Sequence, residues 1–123
     1  MSSHTEVFEK IFEMAETLQE AQDTLQEQLM AKQLKESSVI VEEMINVLNS
    51  IESALETDAI KKRLSENQIM ELNDKFKDLL ERLKMELSTE NYDAMNRLLN
   101  EDIPPAYEEW KSEIYRELKP LLN

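Results

Sequence analysis

The sequence predicts an all-α protein, an antiparallel up-and-down four-helix bundle, and three observations predict it. Apolar residues recur at spacings of three and four through most of the 123 positions. Glycine is absent, and the three prolines all lie at or beyond Pro104. Tight hairpins draw on glycine's left-handed backbone, so its absence favours long helices joined by short polar turns. The composition, 41% hydrophobic and 33% charged, suits amphipathic helices better than disorder.

The first helix is the clearest. Phe8, Ile11, Ala15, Leu18, Gln22, Leu25 and Leu29 form one stripe without a missed step. Glu6, Glu9, Glu13, Glu16, Glu20, Asp23 and Glu27 each stand two places before a member of that stripe. Two residues on a helix turn through about 200°, so an apolar face opposes a line of carboxylates. Ser3-His4-Thr5-Glu6 has the form of a capping box, which starts this helix near His4 or Thr5.

Leu34, Ser37, Val41, Met44, Leu48, Ile51 and Leu55 form the second stripe, widened by Ile40, Ile45, Val47 and Ala54. The preferred turn before it lies within residues 26–32, and Glu36-Ser37-Ser38 is the alternative. Fusing these two helices would give a three-helix arrangement instead. The second helix ends near Glu56-Thr57-Asp58. Ser65-Glu66-Asn67-Gln68 is another capping box, and Ile69, Leu72, Phe76, Leu79, Leu83 and Leu87 carry the third helix. Ser88-Thr89 caps the next start, whose apolar face is Tyr92, Met95, Leu98 and Leu99. Pro104-Pro105 removes two backbone donors, so the last helix kinks or breaks there. Tyr107, Trp110, Ile114, Leu118 and Leu121 resume the spacing. Four such segments with short connections imply antiparallel neighbours.

A chain of this length is one domain, 1–123, able to bury roughly two-thirds of its surface. With no cysteine there is no disulfide, thiolate metal site or cysteine nucleophile, which fits a reducing cytoplasm. MSSHTEVFEK lacks the basic and apolar regions of a secretory signal. Val39-Ile40-Val41 is far too short a run for a membrane span. The net charge of −13 sets the surface against nucleic acid and membranes, and Lys61-Lys62-Arg63 is too small a cluster to reverse that.

Catalytic parts are missing. His4 is the lone histidine, at the extreme terminus, and no glycine-rich loop can cradle a phosphate. Carboxylate-bridged metal bundles need inward acids with Glu-x-x-His pairs, and neither occurs. The acidic line on the first helix reads as a solvated face. We therefore expect no enzyme, no cofactor, no metal and no small-molecule substrate.

The methionines offer more. Met44 and Met95 sit on core stripes, whereas Met14, Met30 and Met70 lie off them and are candidates for a partner-facing rim. The least generic stretch runs from Asn100 to Trp110. There Asp102, Pro104, Pro105, Tyr107 and Trp110 form a candidate ligand-facing kink, although Tyr107 and Trp110 serve equally as apolar caps on the bundle's end. Gln22, centred among leucines, either fixes a dimer seam or reaches water at the stripe's edge.

The run Leu79-Leu80-Glu81 to Asn91-Tyr92-Asp93, with Leu98-Leu99-Asn100-Glu101-Asp102-Ile103-Pro104 and Trp110, resembles small helical proteins of Gram-positive bacteria that carry no settled activity. The resemblance covers the last third of the chain, which departs from the pattern by doubling the proline. It implies a helical bundle and a bacterial cytosolic origin.

The expected function is a non-catalytic interaction module, an adaptor or export-chaperone-like protein that binds a partner helix or self-associates as a homodimer. The alternative is an acidic decoy that occupies a basic nucleic-acid-binding protein. Neither reading involves nucleic acid or membrane directly.

Overall fold

A computed structural model describes residues 3–56 and 68–119, with side chains from Glu6 onward. All its regular elements are helical. Helix α1 spans Ser3–Met30, α2 Leu34–Leu55 and α3 Ile69–Thr89. A fourth, bent helix is built from α4 (Tyr92–Arg97), a π-helical turn (Leu98–Asp102) and α5 (Ile103–Leu118). Contacts run from α1 to α2, α2 to α3, α3 to α4 and α5, and from α5 back to α1, which closes an up-and-down bundle. The proposed caps at Ser3 and Ser65, the end of the second helix beyond Glu56, the Lys61-Lys62-Arg63 cluster and Leu121 lie outside the residues, or side chains, described.

Each predicted stripe faces inward. The α1 stripe is buried over its whole length, from Phe8 to Leu29, Gln22 included. In α2, Ser37, Val41, Met44, Leu48, Ile51 and Leu55 are buried. The α3 stripe differs from expectation. Leu79 is only half-buried and Leu80 takes its place, because the core face runs Ile69, Asn73, Phe76, Leu80, Leu83, Leu87. That sequence alternates steps of four and three once Asn73 is counted as a core residue.

The turns replace glycine with charged residues. Lys32 and Glu90 adopt left-handed φ values of 57° and 56°. At each, the following N–H reaches back five residues: Gln33 to the Gln28 carbonyl at 2.8 Å, Asn91 to the Glu86 carbonyl at 3.1 Å. This is the Schellman closure of a helix C-terminus, made without the residue that adopts it most cheaply. The turn between α1 and α2 thus falls at residues 31–33, at the late edge of the expected window.

The fourth helix is capped by Asn91, whose Oδ1 accepts from the Ala94 N–H at 3.2 Å. Ser88 and Thr89, expected to cap it, instead donate back to the Met85 and Glu86 carbonyls at 2.7 and 3.2 Å and finish α3. Pro104-Pro105 bends this helix without ending it. The Ile103 N–H bonds the Leu98 carbonyl, five residues back. Widening by one residue just ahead of two prolines relieves the ring–carbonyl clash that a continuous α-helix would suffer.

Three aromatic rings centre the core. Phe76 meets Tyr107 and Trp110 edge-on, with centroids 5.8 and 5.7 Å apart. The Tyr107 hydroxyl donates to the Ala15 carbonyl at 2.7 Å, tying α5 to α1, and the Trp110 indole donates to Asn73 Oδ1 at 3.1 Å, tying α5 to α3. Burial, and then the nearby Glu16 and Glu108, push the Tyr107 phenol well above its ordinary range.

Candidate functional site: a groove beside the bent helix

The surface is mostly charge, so its apolar breaks are informative. Three large hydrophobic residues are strongly exposed: Met30 (87%), Met85 (65%) and Val39 (56%). Up-and-down topology places all three at one end of the bundle, where α1 turns into α2 and α3 into α4. Met30 and Met85 sit in cavities on either side of the bent fourth helix.

The larger of these is a groove between α3 and the fourth helix. Near the turn it holds a cavity of about 300 Å³, lined by Arg82, Met85, Ala94, Arg97, Leu98 and Asp102 among others. Towards the other end it continues as a cavity of about 380 Å³, where Leu79, Pro105 and Ala106 supply apolar lining. Arg82 and Asp102 line both, so the two cavities are one groove. Leu98 and Asp102, the first and last residues of the π-turn, both belong to its wall. The groove is apolar at its base, where Leu98 and Ala106 are buried, and charged along its lips.

Lys75 and Arg97 on these lips are already paired, with Glu109 at 3.6 Å and Glu101 at 3.9 Å. A smaller cavity of about 110 Å³ lies on the other side of the fourth helix, with Gln26, Met30, Asn96 and Asn100 among its lining. Gln26 Nε2 donates to Asn100 Oδ1 across it at 3.4 Å.

The predicted site residues divide three ways. Asp102 and Pro105 line the main groove, and Met30 lines the smaller cavity. Met14 and Met70 are half-buried against the core, and Pro104 is half-buried at the bend. Tyr107 and Trp110 are 1% and 0% exposed, so they act as core residues and present no surface to a partner. Gln22, at 6% exposure, is buried inside its own bundle, its Nε2 donating to the Leu18 carbonyl at 3.3 Å. It neither faces a seam on the surface nor reaches water. Sequence reasoning missed Met85 and Arg82. Met85 stands two before Leu87 on the α3 stripe, the offset that marks the exposed acids of α1, and that signal could have found it.

The acidic line on α1 is exposed at every position, Glu6 to Glu27. Glu16 alone of the seven has an ion pair among the described residues, with Lys111 Nζ at 3.4 Å. The Tyr115 hydroxyl also donates to Glu16 at 3.0 Å, and that bond, ahead of Lys111, holds the Glu16 carboxyl below its ordinary range. Among the described residues no group of three His, Cys, Asp or Glu side chains could hold a metal ion. None of the described helices is long and apolar enough to cross a membrane.

Comparison with known proteins gives one match. The family model described as a domain of unknown function, DUF8042, matches residues 6–113, and the chain belongs to that family. The matched span takes in every residue of the groove. No curated protein and no solved structure matches the chain.

Proposed function

We propose that this member of the DUF8042 family is a non-catalytic protein-interaction module whose docking site is the groove between α3 and the bent fourth helix. The observation that carries this reading is Met85, 65% exposed beside Leu98 and Ala94 in a cavity of about 300 Å³. A flexible thioether at the lip of an apolar trough suits the burial of a partner's side chains. Helix-in-groove recognition reads such troughs through residues spaced one turn apart. An adaptor or export-chaperone role is the form we favour. The absence of cysteine and the Gram-positive resemblance support a bacterial cytoplasmic setting.

Site-specific photocrosslinking tests the reading. A benzoylphenylalanine at Met85 should give one discrete adduct in lysate of the source organism, and the same group at exposed Asn46 on α2 should give none. Equal labelling from both positions would reject the groove as the docking site.

A second reading rests on the exposed acids of α1, six of which have no ion pair among the described residues. A decoy for a basic protein would bind through that face. Its binding would fall steeply with salt, because exposed charges are screened within about 8 Å at physiological ionic strength.

A further inference from the structure

Of the three described arginines, two hold carboxylates. Arg97 Nε lies 3.9 Å from Glu101 Oε2, and Arg116 Nη2 lies 2.6 Å from Glu113 Oε2. Arg82 makes no ion pair or hydrogen bond with any described residue, although the chain has 27 acidic residues against 14 basic ones. It stands where the two cavities of the groove meet, next to Met85 one turn along α3. A guanidinium is a rigid fork of donors that matches a carboxylate on two bonds. An unpaired one set beside an apolar trough is a receptor for an acid attached to an apolar body.

Length chooses the occupant. From Lys75 to Glu86 the groove follows α3 for about 16 Å at 1.5 Å per residue, the length of about three helical turns. Its lips are exposed throughout, which suits an elongated segment better than an enclosed small molecule. A second copy of this chain has little to insert, because its apolar stripes are already buried in its own core.

We propose that the groove takes a short amphipathic helix from another protein, its apolar face on Met85, Ala94 and Leu98 and one of its carboxylates on Arg82. This rests on the docking reading above and adds the chemistry of the partner.

The test is selection of random 16-residue peptides displayed on phage against the full chain. Enriched peptides should carry two apolar residues one turn apart and an Asp or Glu within a further turn. Affinity should fall about tenfold for Arg82→Gln, the order expected for a charge-assisted hydrogen bond. Changing the peptide acid to its amide should cost as much, and the two losses should not add. Peptides lost with Met85→Glu but indifferent to Arg82→Gln would overturn the carboxylate assignment and leave the groove as a docking site. Peptides indifferent to Met85→Glu, or no enrichment, would overturn both. Displacement of the peptides by decanoate at similar affinity would reassign the site to a small amphiphile. A dimer of the chain abolished by Met85→Glu would reassign it to a second copy.

Discussion

Trp110 Nε1 donates to Asn73 Oδ1 across 3.1 Å with both residues fully buried, and Nδ2 of the same amide has no partner. An indole only donates, so the amide must turn its oxygen towards it and leave its own donor unmet. Asn73→Leu would bury an unpaired Trp110 N–H and should cost about 1–3 kcal/mol. Pairing Asn73→Leu with Trp110→Phe removes both polar partners, so the double variant should lose less than the sum of the singles. Urea unfolding of the four proteins measures this coupling. Additive losses would show that the bond contributes nothing.

The left-handed turns predict a gain from glycine. Lys32→Gly and Glu90→Gly relieve a steric cost of about 1–2 kcal/mol per residue, partly offset by the entropy of the freer unfolded chain. Each should stabilise by about 0.5–1 kcal/mol. Glu56→Gly, at a right-handed φ of −86°, should not stabilise. Thermal melts of the three variants decide this.

Tyr107 predicts an alkaline limit. Its folded pKa is raised by burial above the ordinary value of 10.0, so the unfolded chain releases this proton first as pH rises. Stability from this group is fully present below pH 10 and is lost progressively above it. Lys77 and Lys84, raised mainly by hydrogen bonds to Glu52 and Glu42, act in the same direction at similar pH. Tyr107→Phe should lower the melting temperature at neutral pH through loss of the bond to Ala15, yet flatten its decline at high pH. An unchanged slope would show that the phenol is not the titrating group.

Gln22→Leu should raise the melting temperature, because a buried amide with one 3.3 Å bond becomes an aliphatic side chain on an aliphatic stripe. The bundle already buries this residue, so sedimentation should show an unchanged mass. A new oligomer would place Gln22 at a subunit seam after all.

The fold was legible because α1 and α2 repeat their apolar spacing with few departures, and burial followed it. Legibility failed where polarity and phase disagreed. Asn73 occupies a core position in α3, so counting apolar residues alone moved the stripe onto Leu72 and Leu79 and off Leu80. Ser88 and Thr89 have capping chemistry but bond backwards, and Asn91 caps the next helix. The groove was half legible: Asp102 and Pro105 come from the unusual double-proline stretch, and Tyr107 and Trp110 from the same stretch turn inward. Arg82 was invisible, because whether a surface arginine is paired depends on neighbours from other helices.

The groove and the acidic face of α1 make opposite predictions about a captured partner. Tagged wild type, Met85→Glu and a variant with Glu9, Glu13 and Glu20 changed to Gln should be compared for the same partner band, washed at low salt and at about 1 M salt, where screening falls to about 3 Å. Docking in the groove predicts a band that survives high salt, persists in the α1 variant and is lost in Met85→Glu. A band that Met85→Glu retains, but that high salt or the α1 substitutions remove, would contradict it.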